Sequence, residues 1–415
     1  MGYRLHAFKG ISWMWFLRGS TRGITFVRLA ILARILTPAQ FGVFGVATLI
    51  LSFLEILTET GINIFLIQEK DDIKSYIDSA WAVSILRGII IAGFLLISAP
   101  LIANFFHSPG SKVVIQLIAL VPFIRGFINP SIIYIQKEIQ FHKEFYLRTT
   151  LFVLDATVSV VAAYVTKDVK SFAYGLIVSA IAEVIFSYLF FKPVPRFNYE
   201  ILKVKKIIRR GWWVTITGIF SYIAENGDNA TVGKVMGPAP LGLYQIAYNL
   251  STLPISEITN VVNAVVFPVY SKFSNDKERL KRAFFKTTFL SSLLAFFLGL
   301  FIFIFTKEII LIIAGPNWLG AIPAIKVLSV YGVLRTVFGN FSPLALSVQK
   351  QDYVAKMTLF RCIGLAITII PFTLKYGLVG AGYSALISIL IEIPMVLYFL
   401  NKIFSFTSIK TAKSI

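Results

Sequence analysis

Cysteine, histidine and acidic residues are all scarce in this 415-residue chain. The single cysteine, Cys362, excludes an internal disulfide and any cysteine-built metal site. The three histidines, His6, His107 and His142, lack the paired His/Glu or His/Cys spacing that zinc requires. A glycine-rich phosphate loop ending in Lys-Ser or Lys-Thr is also missing, which argues against ATP hydrolysis. We therefore expect no metal site, no organic cofactor and no enzymatic activity.

Charged residues are few, and basic residues outnumber acidic ones by two to one. Charged residues make up 14% of the chain and hydrophobic residues 57%, and the mean hydropathy is +0.77. Such a composition cannot form a water-soluble surface, so the bilayer is the expected solvent. The net charge of +20 would suit nucleic acid, but the apolar runs leave too little water-exposed face to gather it. Membrane lipids, including anionic ones, are the expected partners, and nucleic acid is not.

Twelve apolar windows are long enough to cross a bilayer, which needs about 20 residues. They fall at 11–36, 41–67, 79–105, 112–135, 145–166, 171–191, 211–236, 241–271, 284–306, 321–348, 353–375 and 380–402. The predicted fold is an all-α integral membrane protein with two six-helix pseudo-symmetric lobes around a central cavity. We place the N-terminal lobe at 1–195, a basic cytoplasmic linker at 196–210 and the C-terminal lobe at 211–415.

The distribution of positive charge predicts the orientation. With the N-terminus inside, and with several residues near window ends counted in the adjoining segments, 25 of the 40 Lys and Arg residues are cytoplasmic, 6 are outside and 9 are assigned to the spans. This bias follows the positive-inside rule. Both termini are therefore expected to be cytoplasmic, with the basic linker lying on an anionic leaflet.

The chain also repeats itself at an offset of 200 residues. The segment LTPAQFGVF at 36–44 is echoed by MGPAPLGLY at 236–244, and each copy joins two apolar windows. An even number of windows separates the copies, so the halves would share one orientation. A membrane protein of two similar halves is typical of transporters that rock one half against the other about a central site.

Nine cations lie inside the expected spans, although a charge at the bilayer centre costs about 3 kcal/mol. Those near span ends, such as Arg34, Arg87 and Arg361, can equally extend to the interface. The deeper arginines favour a polar interior: Arg18, Arg22, Arg28, Arg125 and Arg335. Arg18 and Arg22 are four residues apart and project from one helix face. Around the helix axis, Arg28 lies about a quarter turn from Arg18.

Acidic residues occupy the corresponding span of the second half. Glu225 and Asp228 are three residues apart on one face, and Arg28 corresponds to Asp228 at the 200-residue offset. Two interpretations remain open: the stripes pair and lock the halves together, or they form a cationic wall for an anionic head group and an acid cluster for H⁺ or Na⁺. Other acids expected within spans, several of which would neutralise arginines, are Glu55, Glu59, Asp155, Glu183, Glu257 and Glu392.

The junction sequences resemble those of a known family. Residues 34–42, RILTPAQFG, resemble the Arg-x-Leu-x-Pro-x-x-Phe/Tyr-Gly junction of Wzx-type polysaccharide flippases, and 228–233 and 241–250 resemble that family's second junction. The family is the polysaccharide branch of the multidrug/oligosaccharidyl-lipid/polysaccharide exporter superfamily. The matching positions, which we interpret as structural, are Arg34, Pro38, Gly42, Pro238 and Gly242.

This resemblance implies a twelve-helix, two-lobed inner-membrane flippase. Its implied substrate is an undecaprenyl-diphosphate-linked oligosaccharide, moved to the outer leaflet for O-antigen or exopolysaccharide synthesis, with a polysaccharide polymerase and chain-length proteins as candidate partners. The residues are compatible, because eight of the nine intramembrane cations are arginine, which binds phosphate bidentately. A cation-coupled multidrug exporter and a non-transporting scaffold are the alternatives; the first would need an acidic cavity, and the second would need every buried charge paired.

Overall fold

The structure is a computed structural model that describes residues 2–58, 62, 66, 73–138, 140–198 and 200–405. Within these ranges the chain forms helices and no strand. It divides into two compact units, Met1–Tyr222 and Ile223–Ile415. The expected lobe boundaries at 195 and 211 stay a prediction, and Glu59 lies outside the described residues.

The first unit is built from α1 (Gly2–Ile35), α2 (Pro38–Leu57), α3 (Lys74–Phe105), α4 (Ser111–Ile118), α5 (Leu120–Arg125), α6 (Tyr134–Lys137), α7 (Phe141–Thr166) and α8 (Lys170–Phe190). Helix α9 (Ile201–Met236) crosses into the second unit, which continues with α10 (Pro238–Lys272), α11 (Lys277–Ile304), α12 (Thr306–Ile313), α13 (Ile322–Gly339), α14 (Phe341–Ser347) and α15 (Gln351–Ser405). Two 3-10 helices, Pro130–Ile133 and Pro316–Ala321, complete the chain.

Membrane-spanning character is clear for many of these helices. By length and composition, 8 helical stretches of the described chain can cross a membrane, or 9 with the pair Ser111–Arg125 and Pro130–Lys137, which is bent by 76°. Helix α15 is counted once, although Gly377 interrupts it with φ 61° and ψ −137°. Helices α1 and α9 are not counted, and they carry the polar residues of the two junction spans. The protein is thus an all-α, multi-pass membrane protein, and the number twelve stays a prediction.

The two junctions share one local design. Thr37 caps α2, its side chain accepting from the Gln40 backbone N–H while the Gln40 side chain accepts from the Thr37 backbone N–H, and Pro38 is the first helical residue. In the second junction Pro238 is again first, but the preceding Gly237 has φ 85°, a conformation that favours glycine. The 200-residue repeat thus corresponds to the same helix–break–helix geometry in each half.

Each unit has its own apolar core. In the first, α2, α3, α4 and α8 meet around buried residues such as Leu54, Leu95 and Ile115. In the second, α10, α11, α14 and α15 meet around Tyr270, Phe341 and other buried side chains. Only 22% of the apolar window of α11 is buried within the protein, as expected of a helix whose outer face contacts lipid.

Helices α3 and α5 approach closely at Gly88, which provides a test of the packing. A Cβ at Gly88 would lie 2.5 Å from the Pro122 carbonyl oxygen, so Gly88→Ala must displace backbone. We expect a loss of about 1–3 kcal/mol in the free energy of unfolding, measured by denaturation of the detergent-purified protein. Gly93→Ala is the matched control, because nothing lies within 4 Å of a Cβ there. Equal stability of the two variants would contradict the described α3–α5 contact.

Candidate functional site

The arginines of α1 fall into two environments. Arg18 and Arg22 are exposed on one helix face, as their spacing predicts. Nearby Thr21 and Thr25 direct their hydroxyls back to carbonyl oxygens of the same helix at 2.7 Å, so they do not extend toward another element. Arg28 is different, because its side chain is only 15% exposed and lies against other helices.

Arg28 is fixed by a polar cluster on α7. Its Nη1 donates to Asp155 Oδ2 at 2.5 Å and its Nη2 to Ser159 Oγ at 3.1 Å. Its guanidinium also lies 5.4 Å from the ring centre of Phe172, a cation–π distance. A Cβ at Gly175 of α8 would collide with Asp155 and Ser159, so this glycine provides the space in which the pair forms.

A second ionic cluster in the first unit holds Arg125. The buried Glu183 carboxylate of α8 lies 3.3 Å from Arg125 Nε and accepts from Arg148 Nη1 of α7 at 2.9 Å. One acid therefore serves two arginines, and the cluster keeps excess positive charge. The side chains of Arg125 and Arg148 are 39% and 42% exposed, so the cluster is only partly buried.

In the second unit, α9 supplies the acids. Arg335 of α13 donates to Tyr248 Oη at 2.8 Å and reaches Glu225 Oε1 at 3.4 Å. Asp228 is buried, and its carboxylate accepts from Tyr244 Oη at 2.9 Å and from the Asn229 backbone N–H at 2.7 Å. The sequence identified the charged residues; the tyrosines, which lie on α10, were not predicted as partners.

A polar cavity of about 240 Å³ lies beside Arg335. Its lining includes Asn260 and Asn263 of α10 and Arg361 and Glu392 of α15. Arg361, which was expected either to extend to the interface or to face a polar interior, lines this cavity. Spacing alone could have identified the α10 side of this cavity, because Ser256, Thr259, Asn260 and Asn263 follow the i, i+3, i+4, i+7 pattern of one helix face.

The five arginines and two acids predicted from sequence are therefore distributed over the two units. Arg18, Arg22, Arg28 and Arg125 belong to the first, and Arg335, Glu225 and Asp228 to the second. Of the junction residues, Arg34 is exposed, whereas Gly42 and Gly242 are buried. Within the described ranges, no three His, Cys, Asp or Glu side chains are placed to hold a metal ion together.

Residues 31–323 match the sequence pattern of a family described as polysaccharide biosynthesis protein. The match covers more than half of the chain. The protein belongs to this family. The resemblance drawn from the junction motifs is thereby confirmed.

Individual relatives also have names that refer to polysaccharide biosynthesis. The lipopolysaccharide biosynthesis protein WzxC of Escherichia coli strain K12 is 24% identical over 87% of this chain and 74% of its own length. The succinoglycan biosynthesis transport protein ExoT of Rhizobium meliloti strain 1021 is 22% identical over 86% of this chain and 72% of its own. The protein is accordingly a membrane transporter of polysaccharide biosynthesis rather than an enzyme.

Solved structures show the same fold. The lipid II flippase MurJ in an inward closed conformation superposes with a TM-score of 0.76 at 15% identity, covering 95% of this chain and 89% of MurJ. An inward-facing multidrug resistance MATE family transporter of the MOP superfamily superposes at 0.67 with 18% identity, covering 94% and 96%. At these identities the likeness concerns the fold alone, which is the two-lobed helical fold of that superfamily.

Proposed function

We propose that this protein flips an undecaprenyl-diphosphate-linked oligosaccharide from the cytoplasmic to the outer leaflet of the inner membrane. Movement would occur by alternating access, with both termini cytoplasmic, and would supply surface polysaccharide synthesis. Membership of the polysaccharide biosynthesis family supports the general role. The excess of intramembrane arginine supports a diphosphate as the charged part of the cargo.

The proposed diphosphate site rests on the surroundings of Arg18. Arg28, Arg125 and Arg335 each contact a carboxylate, whereas none of the ion pairs in the described part of the chain includes Arg18. Arg22 projects from the same exposed face one turn later. Two guanidinium groups one turn apart can each bind a phosphate oxygen pair, so we assign the diphosphate to Arg18 and Arg22. Arg28, Arg125 and Arg335 would then have a structural role within their own units, each beside a carboxylate.

The acids of α9 are proposed as the coupling site. Glu225 and Asp228 lie one turn apart, and Asp228 is the more deeply buried of the two. Binding of H⁺ or Na⁺ there would change the charge near Arg335, because both acids interact electrostatically with that arginine. The MATE-type fold is compatible with ion coupling.

Removal of the two exposed arginines should test the substrate site. In proteoliposomes carrying a fluorescent undecaprenyl-diphosphate oligosaccharide, Arg18→Ala/Arg22→Ala should flip at least about tenfold more slowly, since each lost charge-assisted contact is worth about 1.5–3 kcal/mol. Arg279→Ala/Arg282→Ala on α11 is the matched control, because it also removes two exposed arginines from one helix. The control should retain the natural rate.

Three other results would overturn parts of this proposal. Equal slowing of both double variants would mean that net charge, not a site on α1, supports transport. Absence of flipping by the natural chain together with efflux of cationic drugs would establish the exporter instead. Absence of both activities in a monodisperse, folded preparation would favour a scaffold.

A further inference from the structure

The polar cavity of the second unit is lined by regular helix faces. On α10, Ser256, Thr259, Asn260 and Asn263 lie at i, i+3, i+4 and i+7. On α15, Val354, Met357, Thr358 and Arg361 repeat the same spacing. The Ser256 and Thr259 hydroxyls already donate to Leu253 O and Thr336 Oγ1, whereas Asn263 and Arg361 bring further polar groups to the same space. Polar groups in a membrane-spanning bundle are costly unless they meet a partner, so these side chains favour a polar occupant.

Carboxylates outnumber cations around this cavity. Glu392, itself buried, interacts electrostatically with Arg361 and Arg335. Arg335 is also paired with Glu225 and lies within the field of Asp228. Two cations thus lie near three carboxylates, so the cavity has no excess positive charge to attract a phosphate or a uronate.

A corresponding cluster in the first unit differs from this one in its ion pairing. Arg125 and Glu183 match Arg335 and Glu392 in residue type at offsets of 210 and 209. In the first unit the acid and arginine lie 3.3 Å apart. Among the described residues, however, no ion pair includes Glu392, and the equivalent groups both line the cavity. Arg335 contacts Tyr248 and Glu225, so Glu392 is the member of the cluster that stays available to an occupant as an acceptor.

Two atoms in the lining lack partners altogether. Asn263 Oδ1 and Arg361 Nε are buried and accept or donate no hydrogen bond in the structure. Buried groups of this kind cost free energy until a ligand or water satisfies them. Pockets for drug-sized ligands measure about 300–1,000 Å³, so the 240 Å³ available here suits a smaller molecule.

We propose that this cavity binds one uncharged sugar ring of the cargo glycan, an inference that rests on the proposed function. Glu392 and Asn263 would accept from neighbouring hydroxyls, Arg361 would donate to a ring or hydroxyl oxygen, and Phe338 offers an apolar surface for the C–H face of the ring. A neutral sugar uses donors and acceptors at once, whereas the carboxylate of a uronate would be repelled by Glu392. The cavity would thus contribute to glycan selectivity, separately from the diphosphate site on α1.

Saturation-transfer NMR on the detergent-purified full chain tests this directly. The probes are D-glucose, D-galactose and N-acetyl-D-glucosamine, with D-glucuronate as the anionic comparison. At least one neutral sugar should bind in preference to glucuronate. Asn263→Ala and Arg361→Gln should each weaken that binding about tenfold, as loss of a buried hydrogen bond predicts. Asn198→Ala and Arg282→Gln, at exposed positions, should leave it unchanged.

The charge argument has its own test in Glu392→Gln. Removing this carboxylate takes away its repulsion of a uronate, so the preference for neutral sugars over glucuronate should shrink, a result that a merely structural role would not produce. If a variant fails to fold, Asn263→Cys in a Cys362→Ser background provides a second measurement. The bound sugar should slow maleimide labelling of the introduced thiol only when that thiol lines the site.

Other outcomes overturn the inference. Preferential binding of glucuronate by the natural chain would refute the neutral-sugar class. No binding of any sugar, with labelling unaffected, would refute the site; flipping measured on the same preparation would then show whether the proposed function survives without it. An equal loss of sugar binding in the control variants Asn198→Ala and Arg282→Gln would also refute the assignment of binding to this cavity.

Discussion

Asp155→Ala should lower the free energy of unfolding by about 3–5 kcal/mol, because it leaves the Arg28 guanidinium in a poorly solvated site without its acid. The Asp155 side chain is 9% exposed, and the 2.5 Å contact to Arg28 is direct. Ser159 would remain as a neutral hydrogen-bond acceptor, which cannot replace a carboxylate. Denaturation of the purified protein in detergent provides the measurement.

Asp168→Ala is the matched control for this change. Asp168 pairs with Lys170 at 3.2 Å, but both side chains are 39% exposed, so a loss of no more than about 1 kcal/mol is expected. The double variant Arg28→Met/Asp155→Leu should recover most of the stability lost in Asp155→Ala, since it removes both charges together. Equal stability of Asp155→Ala and Asp168→Ala would show that the Arg28–Asp155 pair does not hold α1 against α7.

The double variant also separates the two interpretations of Arg28. If this arginine serves only to join α1 and α7, the restored protein should flip substrate at the natural rate. A stable double variant that no longer flips would instead place Arg28 in the substrate site with Arg18 and Arg22. Stability and transport together therefore assign the residue, which neither measurement does alone.

The sequence alone predicted most helix positions because long apolar runs leave the backbone few alternatives in a bilayer. The window 112–135 is an exception, since the structure divides it among α4, α5, a 3-10 helix and α6. The two junctions could also be predicted from the sequence, since Pro38 and Pro238 mark the first residues of α2 and α10. The expected linker at 196–210 stays a prediction. Helix α9 begins at Ile201, because the basic run that follows contains no residue that stops a helix.

The partners of the arginines could not be derived in the same way. Arg28 and Asp155 are separated by 127 positions, and their contact depends on how α1 packs along α7. Helical phase placed Arg28 near Arg18 on one face, but lateral packing gave the two residues different surroundings. The cavity beside Arg361 could not be predicted either, since α10, α13, α14 and α15 must converge before their polar side chains line one space.

Asp228→Asn is expected to abolish stimulation of flipping by an imposed ion gradient while leaving the fold intact. The asparagine retains an oxygen that can accept from Tyr244, as Asp228 does at 2.9 Å, but it cannot carry the charge that binds H⁺ or Na⁺. Flipping should be measured in proteoliposomes with either a proton or a sodium gradient, and the ratio of driven to undriven rates should fall to about one, as expected when the coupling term is lost.

Two comparison variants make this result specific. Asp276→Asn removes an exposed acid that caps α11 and pairs with Arg279, so the ratio of rates should remain natural. Asp228→Ala should be less stable than Asp228→Asn by about 1–3 kcal/mol, because the buried Tyr244 hydroxyl loses its acceptor. Unchanged gradient stimulation in a folded Asp228→Asn protein would exclude Asp228 as the coupling residue. Asp228 would then have only the structural role of accepting the Tyr244 hydrogen bond. Glu225→Gln would be the next variant to measure.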